Sequence, residues 1–356
     1  MRSLRQTRPV FIVFLYVCAC LQFVRFYVRS SDFYLNLPAY LAGHERLPFQ
    51  ERILPVILMR EIFHSHFMMN VLVHDQGVAA RERAPFYLLS VIGTFGAAFF
   101  TQLLYRSVSQ KRTLPFLVLP LLLFCMLWTY VVHNEANFSY PYDLLSLAFF
   151  TAGLYFIHER RYVPLLLVIL IGTFNRETTL FLIGIYAIDC ASSGVDETLS
   201  GPALAGLTRL KSLSIRKVPW LRVALLCGIW ALVKGFLAYK FRHNDNSENF
   251  TRFVYNAERL KLRLVPALLN ICGYLLPVML LYWRRIRPYR FGNYILILAI
   301  WVPLMIYTGV LLETRIYGEL CSWTAVAMTL LAEEEAGEAA TRVSPRISTT
   351  RSAEAV

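Results

Sequence analysis

The chain has 356 residues, of which 57% are hydrophobic and only 17% are charged, and its formal net charge is +13. Soluble domains average nearer a quarter charged residues, so this composition excludes an ordinary soluble protein and predicts an all-α integral membrane protein. The positive charge does not indicate nucleic-acid binding, because the arginines and lysines gather in short gaps between apolar runs.

The apolar runs predict about ten membrane-embedded helices, two of them short. In chain order they are Val10 to Val28, Phe86 to Tyr105, Leu114 to Val132, Tyr142 to Ile157, two short helices within Val163 to Asp189, Trp220 to Tyr239, Pro266 to Trp283, Phe291 to Leu312 and Cys321 to Leu331. Residues 1–331 are predicted to form one membrane domain. Residues 332–356 are small, charged and rich in Ser and Thr, which predicts a disordered cytoplasmic tail.

Alternate gaps between these runs are basic, which predicts that they face the cytoplasm and that both termini are cytoplasmic. Their basic residues are Arg106, Lys111 and Arg112; Arg160 and Arg161; Arg209, Lys211, Arg216 and Lys217; and Arg284, Arg285, Arg287 and Arg290. The other gaps are mixed in charge, and they are Asp32 to Arg52, His133 to Asp143, Asn175 to Glu177, and Glu313 to Glu319. Acids, arginines and asparagines that gather at one membrane boundary predict a functional site on the outer face.

The segment from Val163 to Asp189 determines this topology. As one helix its 27 residues would extend about 40 Å, against a hydrocarbon core of about 30 Å. Its middle would also bring Arg176 and Glu177 to mid-membrane. Two short helices that meet at Asn175 to Thr178 keep every basic cluster on the cytoplasmic side, so the sequence predicts a broken pair. Irregular backbone at that depth is tolerated where it lines a protein-enclosed or watery cavity.

The long first outer loop contains two candidate site residues, Asp32 and Arg52. An acid at the membrane surface can accept a proton from a hydroxyl group, and an arginine nearby can bind an anionic phosphate. Asp32 is equally suited to cap a surface helix, and Arg52 to anchor the membrane interface. The apolar stretch from Ile53 to Val73 contains four charged or histidine side chains, so it is predicted to be an amphipathic helix on the outer surface.

The other candidate residues belong to the later outer gaps. Arg176 between two apolar half-helices is placed to bind a lipid-linked phosphate, with Asn175 and Glu177 supporting it by hydrogen bonds. The alternative is that Arg176 pairs with an acid and only stabilises the turn. Glu313 and Arg315 are predicted to join the same cavity, although an ordinary loop would carry such charges too.

No metal or cofactor site is predicted from the residues themselves. The seven cysteines lie in or beside apolar runs without metal-ligand spacing, which is typical of buried unpaired thiols. His64 and His66 are two residues apart, so on a helix they point to different faces. The use of a divalent metal is left open, but no cluster of ligand residues supports it.

The layout resembles that of the GT-C superfamily of membrane glycosyltransferases, which take sugars from polyprenyl-phosphate carriers. The resemblance rests on the acid Asp32 in a long first outer loop with surface helices, and on a pair of short mid-chain helices around the basic turn Phe174-Asn175-Arg176-Glu177-Thr178. It covers the whole membrane part of the chain. Many relatives have paired acids after the first span, where this chain has one, and this leaves the catalytic base and the metal requirement open.

The resemblance implies transfer of a sugar from a polyprenyl-phosphate donor to a glycan, lipid or protein acceptor at the outer face. Asp32 would be the catalytic base, and substrate would be bound by Arg52, Asn175, Arg176, Glu177, Glu313 and Arg315. The implied location is the cytoplasmic membrane if the organism is bacterial. Two alternatives remain, a transporter or flippase for an anionic or lipid-linked solute and a non-catalytic membrane subunit.

Overall fold

The computed structural model of the chain describes residues 2–30, 34–67, 70, 78–132, 138–194, 210, 213–248, 251–259, 264–311 and 313–343. Its α-helices are α1 (Arg2–Ser30), α2 (Leu37–Ala42), α3 (Ile53–His64), α4 (Val78–Val108), α5 (Val118–Leu127), α6 (Asp143–His158), α7 (Tyr162–Asn175), α8 (Leu180–Ala191), α9 (Trp220–Lys240), α10 (Phe253–Arg259), α11 (Leu264–Leu269), α12 (Leu275–Tyr282), α13 (Tyr289–Gly292), α14 (Leu298–Thr308) and α15 (Cys321–Val343). Short 3-10 helices lie at Phe49–Glu51, Glu177–Thr179, Ile215–Lys217, Trp283–Arg285, Asn293–Ile297 and Thr314–Leu320. The described residues form no β-strand, so this part of the chain is all-helical.

Four helical stretches of the described chain are long and apolar enough to cross a membrane. They are Val10–Arg29, Arg83–Val108, Trp220–Lys240 and Tyr289–Thr308. Large apolar side chains are exposed along them, such as Val10 at 70% and Leu221 at 86%. Soluble monomers rarely expose apolar patches of this extent, so these faces are suited to contact with lipid.

The centre of the bundle is the close packing of α4 against α6. A Cβ atom on Gly93 of α4 would lie 2.5 Å from the carbonyl carbon of Leu144 in α6. Only glycine allows the two backbones to approach this closely, and the approach fixes the start of α6 beside α4. The buried residues Tyr27 and Phe86 pack against each other next to this contact, with ring centroids 5.9 Å apart.

The chain breaks between α7 and α8, as the sequence predicts. Arg176 is extended, with φ −162° and ψ 141°, and a 3-10 turn follows before α8 begins at Leu180. The hydroxyl groups of Thr173 and Thr179 lie 2.9 Å apart across the break. A Cβ atom on Gly172 would lie 2.8 Å from a methyl carbon of Thr179, so the two halves meet closely.

The segment predicted to be the first outer loop folds as α2, a 3-10 turn and α3, and it is tied to the loop that follows α9. Asn36 caps α2 by accepting a hydrogen bond from the backbone N–H of Ala39 at 3.1 Å. The backbone N–H of Leu47 donates to the carbonyl of Asp245 at 2.7 Å. The side-chain amide of Asn244 donates to the carbonyl of Glu45 at 2.8 Å. Two loops about 200 residues apart in sequence thus cover one end of the bundle.

The predicted span from Pro266 to Trp283 is wrong as one continuous helix. The chain forms α11, a turn and then α12, because Cys272, Gly273 and Tyr274 all have positive φ, between 53° and 67°. Glycine is required at the middle of this turn: a Cβ atom on Gly273 would lie 2.6 Å from the Phe124 ring and 2.7 Å from the Trp128 ring. The turn therefore packs against the rings of Phe124 and Trp128, and α11 and α12 do not form one continuous helix.

The last helix, α15, continues to Val343, well past Leu331, where the sequence predicts a disordered tail. The reason is a tertiary contact of Glu333, whose carboxylate accepts hydrogen bonds from Tyr105 at 2.6 Å and Ser109 at 2.7 Å. It also accepts from the backbone N–H groups of Thr113 at 2.7 Å and Leu114 at 3.1 Å. These bonds extend helical order beyond the apolar part of α15, and residues 344–356 lie outside the described chain.

Candidate functional site

A cavity of about 990 Å³ lies where the break between α7 and α8 meets the first outer loop, α9, α10, α14 and the 3-10 helix Thr314–Leu320. Aromatic and charged side chains share its wall. The charged lining residues are Glu51, Arg52, Arg176, Glu177, Lys234, Glu248, Arg252, Glu313 and Arg315. A largely apolar protein that brings this many charges to one cavity has concentrated its polar chemistry there.

The structure brings together most of the residues that the sequence predicts for a shared site. Arg52, Arg176, Glu177, Glu313 and Arg315 all line the cavity. Asn175 is fully buried and does not line it; its side-chain amide donates to the carbonyl of Tyr142 at 3.0 Å. Asp32 lies outside the described residues.

The first five residues of the predicted outer gap at His133 to Asp143 also lie outside the described chain. Its last residue, Asp143, is described and has a larger role in the site than the sequence indicates.

Arg176 enters the cavity wall from the break and is held by two buried carboxylates. Its Nη1 atom lies 3.4 Å from Oδ1 of Asp143 and 3.2 Å from Oε1 of Glu319, and both acids are fully buried. The same Glu319 oxygen accepts hydrogen bonds from the hydroxyl groups of Ser146 at 2.9 Å and Thr178 at 2.8 Å. The guanidinium is therefore fixed from behind by α6 and by the 3-10 helix that precedes α15.

The predicted support of Arg176 by its chain neighbours is wrong. Glu177 forms an ion pair with Arg52, with Nη2 2.9 Å from Oε1, and not a hydrogen bond to Arg176. The backbone explains this. Arg176 is extended, and in extended backbone the side chains of successive residues point to opposite sides. Asn175, which ends α7, bonds to the chain before α6 instead.

Arg315 reaches the same carboxylate as Arg176 from the other side. Its Nη1 atom lies 3.6 Å from Oδ1 of Asp143, and it pairs with Glu313 as well. Asp143 also lies 3.3 Å from the Tyr27 hydroxyl, which donates to Oδ2. One buried acid thus positions both of the deep arginines of the cavity.

A stacked pair of tyrosines lies between Arg315 and Arg52. The rings of Tyr140 and Tyr142 have centroids 5.1 Å apart and an interplanar angle of 28°. The guanidinium carbon of Arg315 lies 4.1 Å from the Tyr140 centroid, and that of Arg52 lies 4.1 Å from the Tyr142 centroid. Cation–π contacts of this kind hold guanidinium groups without consuming their hydrogen-bond donors.

Arg176 and Arg315 each have one guanidinium N–H group that is not hydrogen-bonded within the described residues. The Nε atoms of Arg176 and Arg315 are buried and have no hydrogen-bond partner within the described residues. Most buried polar atoms in proteins are satisfied, so two unpaired guanidinium donors beside one cavity are unusual, but neither Nε atom is itself accessible from the cavity.

A further cation was missed by the sequence reading. Lys234 lies within the candidate span Trp220–Lys240 and pairs with Glu51 of the first outer loop. One turn earlier, the indole N–H of Trp230 donates to the carbonyl of Glu177 at 3.1 Å. The available signal was the charge itself, because a lysine inside an apolar span is energetically costly unless it has a partner.

The outer rim of the cavity is organised by Glu248. Its carboxylate accepts a hydrogen bond from Tyr34 at 2.6 Å and contacts Arg252 at 2.6 Å and Arg46 at 3.1 Å. Burial favours a higher pKa for Glu248, but these hydrogen bonds and positive charges outweigh it and lower the pKa below its usual value. The rim therefore holds an ionised carboxylate that ties the first outer loop to the loop after α9.

The described lining thus combines paired charges and aromatic rings. No group of three or more His, Cys, Asp or Glu side chains is arranged to hold a metal ion within the part of the chain that the structure describes. The chain matches no family model, no curated protein and no solved structure.

Proposed function

We propose that this protein is a membrane glycosyltransferase that moves a sugar from a polyprenyl-phosphate donor to an acceptor hydroxyl at the outer face. The observation that supports this most is the convergence of Arg52, Arg176 and Arg315 on one cavity. They come from three distant segments, and residues that only anchor the membrane surface would have no reason to meet. Converging polar groups in an apolar surrounding are the usual sign of a binding site.

The arginines would hold the phosphate of the donor. Arg176 and Arg315 are fixed by Asp143 and both line the cavity, so their guanidinium groups are placed to meet phosphate oxygens. Arg52 lies at the other end of the tyrosine stack and would contact the donor at a second position, away from the group held by Arg315. Guanidinium groups suit this role because their planar donors match the geometry of phosphate.

In the reaction the bond between the anomeric carbon and the phosphate oxygen breaks, and a bond from that carbon to the acceptor oxygen forms. The proton of the acceptor hydroxyl goes to a carboxylate, and the polyprenyl phosphate leaves with the electron pair of the broken bond. Asp32 is the proposed base; it lies two residues before Tyr34, which lines the cavity. The arginines stabilise the charge that develops on the leaving phosphate.

The proposed architecture is a GT-C-like bundle of about ten membrane-embedded helices with both termini cytoplasmic. The cavity would then open to the outer face and Lys111 and Arg284 would face the cytoplasm. Labelling of single introduced cysteines with a membrane-impermeant reagent tests this. We expect sites beside Asn244 and Arg315 to react from outside and sites at Lys111 and Arg284 to react only after permeabilisation; the reverse pattern would overturn the topology.

The decisive experiment is a transfer assay with purified protein in nanodiscs and a radiolabelled polyprenyl-phosphate sugar, with and without acceptor lipid extract. We expect label to move to the acceptor and the variant Arg176→Gln to lose transfer. Because this change leaves the buried Asp143 and Glu319 without their shared cation, thermal unfolding in the same nanodiscs checks that the variant is folded at the assay temperature. Arg242→Gln is the matched control, since Arg242 is exposed and is not among the cavity-lining residues.

Two other functions predict different outcomes. A flippase or transporter would move the labelled lipid or an anionic solute across a vesicle membrane without transferring the sugar. A non-catalytic subunit would do neither. Transport without transfer in this assay would replace the glycosyltransferase proposal, and no effect of Arg176→Gln on a measured transfer would remove the cavity from the mechanism.

A further inference from the structure

A second cavity, of about 330 Å³, lies at the end of the bundle that carries the basic clusters. It is formed by the end of α4 with the turn after it, the segment between α12 and α13, and the middle of α15. Its wall contains three cations, Lys111, Arg285 and Arg287, and two carboxylates, Glu333 and Glu334. It is separate from the candidate site, with which it shares no lining residue.

The turn that carries Lys111 is fixed in place. The Glu333 carboxylate accepts hydrogen bonds from Ser109 at 2.7 Å and from the backbone of Thr113 at 2.7 Å, one on either side of Lys111. Burial favours a higher pKa for Glu333, but the hydrogen bonds from Tyr105, Ser109 and the backbone outweigh it and lower the pKa. Glu333 is therefore occupied as a structural acceptor, and its charge is already distributed over these donors.

The opposite wall separates two arginines by their partners. Arg285 is taken up by the acidic part of α15, with contacts to Glu334 at 3.8 Å and Glu338 at 3.2 Å. Arg287 instead lies over the ring of Tyr289, 5.5 Å from its centroid, and is exposed, as is Lys111. These two exposed cations face one cavity in which Glu333 already accepts several hydrogen bonds and Glu334 is paired with Arg285, so the cavity favours an anionic group.

The surroundings indicate what kind of anion fits. Leu281 and Tyr282, at the end of α12 just before this wall, are exposed at 79% and 48%. Val108 and Leu330 add apolar surface to the cavity itself. This apolar surface favours an anion that carries apolar chains, because the chains can lie beside α12. A membrane phospholipid is such an anion.

We infer that this cavity binds the phosphodiester headgroup of an anionic glycerophospholipid, with Lys111 and Arg287 contacting the phosphate and the acyl chains lying along α12. Basic cavities between membrane helices on the cytoplasmic side are suited to such headgroups. The inference is independent of the proposed sugar transfer, because it concerns a different cavity and requires no reaction.

Native mass spectrometry of the full chain in a neutral detergent tests this, with phosphatidylglycerol and phosphatidylcholine of matched acyl chains as the two probes. We expect one phosphatidylglycerol to bind more tightly than phosphatidylcholine. Lys111→Gln and Arg287→Gln should each weaken phosphatidylglycerol binding about fivefold, and the double variant about 25-fold, from the usual contribution of one basic residue near anionic lipid. Both side chains are exposed, so the variants should unfold at the temperature of the parent protein.

Arg284→Gln is the matched control, because it removes an exposed arginine of the same segment that does not line the cavity. It should keep the binding of the parent protein. Equal losses in this control and in Arg287→Gln would show a general surface charge effect and overturn the site. Inorganic phosphate is the third probe. If it displaces phosphatidylglycerol at comparable concentration, the cavity takes free phosphate and the lipid assignment is wrong.

Discussion

Replacing Asp143 by asparagine tests the organisation of the candidate site more directly than any other change. The carboxylate is fully buried and lies between Nη1 of Arg176 at 3.4 Å and Nη1 of Arg315 at 3.6 Å. Asparagine keeps the shape and can still accept a hydrogen bond from Tyr27. The substitution therefore removes the negative charge and little else.

The expected loss follows from these distances. At an effective dielectric constant of about 20, each contact is worth about 5 kcal/mol of attraction before desolvation is counted. Removal of one partner from a buried ion pair usually destabilises a protein by about 3 to 5 kcal/mol, because the remaining charge stays buried and uncompensated. Glu319 and Glu313 remain beside the two arginines. We therefore expect a loss at the lower end, about 3 kcal/mol.

The assay is reversible unfolding of the purified protein in mixed micelles, followed by tryptophan fluorescence. Asp143→Asn, Arg315→Gln and the double variant form a double-mutant cycle. We expect the double variant to be at least about 1 kcal/mol more stable than the sum of the single losses predicts, since the unpaired arginine has gone. Ser146→Ala is the comparison variant without a change of charge; it removes a hydrogen bond to Glu319 and should cost only about 1 kcal/mol.

Two results would refute this reasoning. One is an Asp143→Asn protein as stable as its parent, which would mean that the arginines do not depend on this charge. The other is strict additivity in the cycle, which would mean that Asp143 and Arg315 do not interact.

The other predictions concern binding, packing and pH. Arg176→Gln should weaken binding of radiolabelled polyprenyl phosphate in nanodiscs about 10- to 100-fold, as expected for one charge-assisted bond, and Arg242→Gln should not; equal losses would contradict the site. Gly93→Ala should destabilise the protein by about 1 to 3 kcal/mol, because its Cβ would meet the backbone of α6, whereas Gly228→Ala, with nothing within 4 Å, should be neutral or slightly stabilising in thermal unfolding. Because the pKa of Glu333 is lowered in the folded protein, its protonation favours the unfolded chain: its contribution to stability is complete above the ordinary glutamate pKa and is lost as pH falls through the lowered value. Melting temperature should therefore fall more steeply with acid in the parent protein than in Glu333→Gln, and parallel curves would contradict this.

Much of the helical order could be predicted from the sequence, because it depends on local composition. Apolar runs bounded by charges predict where helices lie, and 27 residues are too long for one span and too short for two. That arithmetic predicts the break at Arg176, and the chain does break there. The segment from Pro266 to Trp283 is also apolar, yet it turns at Gly273, where the rings of Phe124 and Trp128 approach the backbone closely. Hydropathy does not show such a contact.

Some of the residues that form the site can also be predicted from the sequence. Charges in apolar surroundings are expensive, so Arg176 and Arg315 were predicted to lie at a functional boundary, and both line the cavity. The partners of Arg176 were not accessible. The sequence indicates its neighbours Asn175 and Glu177, whereas the structure pairs it with Asp143 and Glu319.

The physical reason is the range of the interactions. Whether a residue is apolar, charged or unusual within a span depends on its own side chain and the nearby sequence. The sequence therefore predicts that this protein is helical and that its polar residues are concentrated in few segments. An ion pair depends on which two side chains come within about 4 Å. Here that distance is set by the packing of α6 against α4 at Gly93 and by the extended backbone at Arg176. Both features are visible in the folded structure and not in the sequence.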